Sequence, residues 1–233
     1  MTKRFYKNAA VQNADGAFAV TLDDRPIKTP AGKLMNVPTH ALADAVAGEW
    51  NAQGEEVDPK SMPLMQLCGT AIDRVPDVRD GLIDGILRYA DTDLLCHRAA
   101  NPADLAARQV EVWQPLLDWA ADTYGANLKS VDGVIPIDQD PHAGDGFAAA
   151  MADMDDWQLT AVAEMVGVSG SIVIGFAMVA GRLDADEAFA ACQVDEDHQI
   201  ARWGEDYEAT QRRANVHAEL VTAARFWKLQ KVA

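Results

Sequence analysis

The run "MVGVSGSIVIGFAMVAG", Met165 to Gly181, decides what kind of protein this is. It carries no charge over 17 residues, which touches the lower limit of a membrane span, roughly 17 to 25 residues. Four glycines and two serines interrupt it, only one flank is basic, and no second such run exists in the chain. Helices that are apolar all round also fill the cores of larger soluble domains. The run therefore reads as a buried core helix, and the rest of the chain as the layers that cover it.

Just beyond the run, Asp184 with Glu187 three residues on has capping-box spacing and opens a long helix. That helix enters "VDEDHQIARWGEDYEA", Val194 to Ala209. At about 100° per residue Phe189, Cys192, Glu196, Gln199 and Trp203 share one narrow face, and Glu196 is the one charge in it. A carboxylate in a dry stripe without a partner costs several kcal/mol. Either a buried cation pairs with Glu196, or the stripe emerges into solvent and presents Glu196, Gln199 and Trp203 to another molecule. Asp195 and His198 have the i, i+3 spacing of carboxylate-bridged metal bundles, but no second such motif accompanies them. A metal-dependent or acid/base enzyme built on Glu196 and His198 is the rival from another class, and a general acidic scaffold is a third.

On the N-terminal side the first 40 residues have strand and turn grammar. Phe18, Val20 and Leu22 alternate with small or polar neighbours, Asp15-Gly16 makes a tight turn, and Asp23-Asp24 leads into the hairpin return Arg25 to Lys28. Leu34 to Val37 is a third short strand. Helices follow: Thr39 caps one with Leu42, Val46 and Trp50 on its inner face, and Leu64 to Val75 forms another that ends at Pro76. Two more run around Ile83–Tyr89 and from Pro102 to Tyr124, where Gly125 stops the chain. The stretch from Asn127 to Asp145, rich in Pro, Gly and Asp, is the longest irregular one. The expected fold class is α+β, with a β-containing domain at 1–128 and a helical domain at 129–233.

Composition narrows the functions. Thirty-six acids against 20 bases give a formal charge of −16, which excludes nucleic acid and anionic membranes as natural partners but leaves a basic or mixed-charge protein open. Cys68, Cys96 and Cys192 are widely separated and odd in number, so free thiols and a reducing, cytoplasm-like compartment are expected. The start "MTKRFYKNAA" has no apolar segment behind its bases and does not read as a targeting peptide. There is no G-x-G-x-x-G, no Walker-type loop and no G-x-S-x-G elbow. "DQDPHAGDG", Asp138 to Gly146, has spaced acids but neither the central glycine nor the closing glutamate of a calcium loop.

Several blocks taken together carry a resemblance. "RFYK" (Arg4 to Lys7), "LDDRPIKTP" (Leu22 to Pro30), "EWNAQGEEVDPKSMP" (Glu49 to Pro63), "YADTDLLCHR" (Tyr89 to Arg98), "WQPLLDW" (Trp113 to Trp119), the Ser/Gly-rich apolar run and "EDHQIARWGEDYEA" follow one another across nearly the whole chain. In this order they resemble the Atp-twelve family of ATP synthase assembly chaperones. Asp24 stands where the family's turn has Gly, and His97 where Tyr is usual. The resemblance implies an N-terminal α+β domain and a C-terminal orthogonal helical bundle, with no catalysis, no cofactor and no metal. It implies transient binding of the free alpha subunit of the F-type ATP synthase catalytic sector, which prevents self-association before the beta subunit pairs with it. Carried over by position, Glu196, Gln199, Trp203 and Asp206 are the expected partner-binding residues, and Glu49, Trp50 and Arg25 a secondary or structural set. The free protein is expected to be a cytoplasmic monomer, or a mitochondrial matrix protein if a presequence precedes this sequence.

Overall fold

Two tight turns build the N-terminal sheet. The computed structural model describes residues 2–133 and 138–231, so the centre of the long irregular stretch lies outside the described residues. Strand β1 (Thr2–Lys3) is followed by β2 (Ala9–Ala14) and β3 (Ala17–Leu22), which pair antiparallel with Ala14 opposite Ala17 across the turn Asp15-Gly16. The next turn is Asp23-Asp24, with Leu22 opposite Arg25 of β4 (Arg25–Pro26). Asp23 and Asp24 both have positive φ, 45° and 67°, the twist that two-residue hairpins require. Aspartate tolerates this region better than most residues, which is how Asp24 occupies a glycine position. Strand β5 (Asn36–Val37) pairs with β3, and β6 (Glu56–Val57) with β1.

Helix α1 (His40–Asn51) starts where the Thr39 hydroxyl accepts the Leu42 N–H, and it buries Leu42, Val46 and Trp50. Helix α2 (Pro63–Asp73) stops two residues before the sequence suggests. Pro76 does not end it; it sits in the first turn of α3 (Val75–Leu87), where its missing N–H leaves no bond unmade. Two residues of β7 (His97–Arg98) precede α4 (Ala103–Tyr124), which ends on left-handed Gly125, and β7 pairs in parallel with β8 (Val131–Asp132).

The remaining helices are α5 (Asp145–Ala152), α6 (Asp156–Ser169), α7 (Ile172–Val179), α8 (Ala185–Cys192), α9 (Val194–Trp203) and α10 (Tyr207–Leu229). The uncharged run is thus not one helix. It closes α6, turns at left-handed Gly170 (φ +71°), and reopens as α7 where the Ser171 hydroxyl accepts the Ile174 N–H. A glycine that adopts positive φ and a serine that caps end one helix and restart the next at low cost. Ile172, Val173, Ile174 and Phe176 are fully buried, each stabilising the fold by roughly 1.5–3 kcal/mol. Gly175 is required for this packing, since a Cβ there would lie 2.5 Å from a Val166 methyl. Among the described residues no helix is long and apolar enough to cross a membrane.

The architecture mixes helix and sheet. Packing gathers it into two units interleaved in sequence: one runs to Arg79 and adds Asp155–Ala161 and the described residues from Arg225 on, the other comprises Asp80–Met154 and Val162–Ala224. The first has its core at Val20, Val37, Leu42, Val46, Leu64 and Phe226. The second centres on Trp113, Met165 and the rings of Tyr124, Phe147 and Phe176, whose centroids lie 4.7–5.3 Å apart.

Candidate functional site

The stretch that Asp184 opens is built, as far as Trp203, from two helices where periodicity suggests one. The capping box forms as expected: the Asp184 carboxylate accepts the Glu187 N–H and Glu187 accepts the Asp184 N–H, both at 2.9 Å. The helix then breaks at Gln193 (φ −109°, ψ 14°), and Gly204 (φ +85°) ends α9. The five-residue stripe therefore divides. Phe189 and Cys192 belong to α8, where Phe189 stacks edge-on against His217 under the Arg213 guanidinium. Glu196, Gln199 and Trp203 remain on one face of α9, spaced three and four.

The acids around Glu196 are each occupied. Asp195 accepts a hydrogen bond from the Gln109 amide of α4, and Asp197 pairs with Arg213 of α10 at 2.5 Å. His198 turns its Nε2 to Asp104 at 3.3 Å, and Arg202 approaches the same carboxylate at 3.6 Å. This ion-pair cluster holds Asp104 below the usual carboxylate range, the His198 hydrogen bond being the largest cause. Glu196 alone of the group is half-buried without a side-chain hydrogen bond or ion pair among the described residues. Beside it on the same face Gln199 is exposed and Trp203 is 76% exposed. Tyr207, at the start of α10, is 81% exposed. Periodicity misses Tyr207 because Gly204 resets the helical phase; the signal was an aromatic just past a helix-ending glycine. Asp206, expected at the partner surface, is exposed and also accepts the Ala209 N–H at 3.1 Å, capping α10.

Of the N-terminal set, Glu49 points into the fold. Its carboxylate oxygens accept the N–H groups of Leu64 and Met65 at 2.8 and 2.9 Å, satisfying the start of α2. Burial pushes its pKa up, and the two N–H groups pull in the other direction. Trp50 is buried and Arg25 exposed, and both line one cleft of about 580 Å³.

One further carboxylate was not legible in the sequence. Asp93, fully buried, accepts the Ser171 hydroxyl at 2.8 and 2.9 Å, the Leu95 N–H at 3.0 Å and the Val173 N–H at 3.3 Å. It ties the block Tyr89 to Arg98 to the start of α7. Burial raises its pKa to about 6 despite these donors. Among the described residues no three His, Cys, Asp or Glu side chains converge as a metal site. Cys68 and Cys96 are buried free thiols and Cys192 a half-buried one, all pushed up by burial, Cys96 to about 12.

The family model described as ATP12 chaperone protein matches residues 3–121. The crystal structure of Atp12 from Paracoccus denitrificans superposes with a TM-score of 0.92 at 39% identity, covering 99% of each chain. A crystal structure of a protein from Agrobacterium tumefaciens gives 0.92 at 38% identity over 98% of this chain and 86% of that one. The protein atp12, mitochondrial, of Schizosaccharomyces pombe is 27% identical over 87% of this chain and 74% of its own length. The fold, the block order and a family model spanning just over half the sequence agree: this chain belongs to the ATP12 chaperone family.

Proposed function

We propose that this chain acts in ATP synthase assembly by binding the free alpha subunit of the F-type catalytic sector, and that it does so without catalysis. The observation that carries the reading is Glu196, a carboxylate with no partner among the described residues, on the helix face that exposes Trp203. Trp203 and Tyr207, four residues apart, are both exposed, and an interface uses such aromatic anchors inside a polar rim. Trp203 and Tyr207 supply apolar contact area at low entropy cost, and Glu196, Gln199 and Asp206 supply the acceptors that fix orientation. The unassembled alpha subunit would offer an apolar interface with basic or amide donors nearby. The orthogonal bundle, a cytoplasmic location and a free monomer belong to the same proposal.

The test compares alpha-subunit capture by Glu196→Gln and Glu196→Lys. Charge reversal places like charges together, which can cost several kcal/mol, whereas the amide keeps the shape. Capture should fall at least tenfold for Glu196→Lys and far less for Glu196→Gln. Normal capture by Glu196→Lys, with unchanged thermal unfolding, rejects this contact surface.

A further inference from the structure

Three sequence blocks that the proposed surface does not use converge in the first packing unit. Phe5 and Tyr6 of "RFYK", Leu22, Asp23 and Arg25 to Lys28 of "LDDRPIK", and Trp50 of "EWNAQ" line the same cleft of about 580 Å³, together with Met65. That volume lies within the about 300–1,000 Å³ typical of binding pockets. Its aromatic wall is a ladder: Phe5 meets Tyr6 and Tyr6 meets Trp50 edge to face, with centroids 5.4 Å apart in both pairs. The ladder is locked from behind. Tyr6 donates its hydroxyl to the Trp50 carbonyl at 2.6 Å, and Arg4 lies over the Tyr6 ring while donating to the carbonyls of Gln53, Tyr6 and Lys7.

The rim is charged in the sense opposite to the molecule. Arg25 and Lys28 make no side-chain hydrogen bond or ion pair among the described residues, in a chain with a formal charge of −16. The one acid at the cleft, Asp23, is held by the N–H groups of Lys7 and Asn8 at 3.0 Å, which keep its pKa low. Phe5, at the mouth, is 70% exposed. Cations on an edge strand also discourage strand pairing, but that role explains neither the exposed Phe5 nor the locked ring ladder behind it.

We propose that this cleft is a second docking site for the client, taking an extended segment in which an acidic residue adjoins an aromatic or aliphatic one. The apolar side chain packs against Phe5, the exposed end of the Phe5–Tyr6–Trp50 ladder, and the carboxylate pairs with Arg25 and Lys28 in a charge-assisted contact. Charge complementarity selects an acidic segment, and Phe5 at the mouth favours a ligand larger than the cleft. The segment does not add a strand to β4, because Pro26 offers no N–H. The inference rests on the reading that the chain holds the alpha subunit.

The experiment places the photo-reactive amino acid benzoylphenylalanine at position 5 of the full chain and illuminates it with purified alpha subunit. Capture without illumination is measured in parallel. The expected result is a cross-link to one alpha-subunit peptide carrying Asp or Glu within a few residues, reduced at least about fivefold by R25E/K28E and kept by R25K/K28R, with unchanged thermal unfolding. Capture without a cross-link, a cross-link to a peptide lacking acids, or a cross-link insensitive to R25E/K28E overturns the second site while leaving the first. Cross-linked homodimers as the main product assign the cleft to a second copy and overturn it as well. Absence of capture in both arms overturns the client reading and the cleft proposal with it.

Discussion

Asp93 and Glu196 are both carboxylates within the same packing unit, yet the fold treats them in opposite ways. Asp93 is sealed from water and surrounded by a hydroxyl and backbone N–H donors. Glu196 sits half-buried on α9 with no donor to its carboxylate among the described residues, while Asp195, Asp197 and His198 around it are each engaged. A buried acid is tolerated when its lone pairs are filled, and an unfilled acid is tolerated when water or a partner fills them. The first serves stability, and the second is the acceptor on which the proposed recognition rests.

The largest effect should come from removing the filled one. Asp93→Ala strands the Leu95 and Val173 N–H groups and the Ser171 hydroxyl in a dry site, each worth about 1–3 kcal/mol when unsatisfied. A loss of at least about 3 kcal/mol is expected in urea unfolding. The pH dependence sharpens the comparison. The folded pKa of Asp93 is raised to about 6 from an ordinary 3.8, so between those values the native state binds more protons than the unfolded one. Stability from this group therefore falls as pH rises through that window and is greatest at its acidic end. Wild type should gain stability relative to Asp93→Asn as pH is lowered from about 7 to about 5; the opposite trend contradicts the assigned burial.

Glu49 lies between these extremes, since it is partly buried and holds two N–H groups at the start of α2. Glu49→Ala should cost about 1–2 kcal/mol, within the range of a lost helix cap, measured by thermal unfolding. A loss in alpha-subunit capture at unchanged stability would instead move Glu49 from the structural set to the contact set.

The sequence exposes these three acids unequally. Thr39 and Asp184 were legible as caps because a cap needs only its own next three residues, and the Asp15-Gly16 and Asp23-Asp24 turns because a two-residue hairpin is equally local. The uncharged run was legible as core but not as two helices, because Gly170 is tolerated inside helices as well as at their ends. Pro76 and Gln193 deceive in opposite directions: a proline that opens a helix looks like one that closes it, and the break at Gln193 has no glycine or proline to mark it. Asp93 was invisible because its partner Ser171 is 78 residues away. The cleft around Trp50 was visible only as separate blocks, for the same reason of chain distance.

The smallest expected effect is on the folding of the Glu196→Gln variant, and it is the most informative. If Glu196 has no internal donor, exchanging its charge for an amide disturbs neither a hydrogen bond nor an ion pair, and unfolding free energy should change by under about 0.5 kcal/mol. Three acids, Asp195, Glu196 and Asp197, occupy the first turn of α9, where the helix dipole favours negative charge. Loss of one of the three therefore gives a small destabilisation, screened by salt, and not a stabilisation. A change well above about 1 kcal/mol that persists at high salt would mean that Glu196 is held like Asp93. In that case the exposed Trp203 and Tyr207 would have to carry recognition without it.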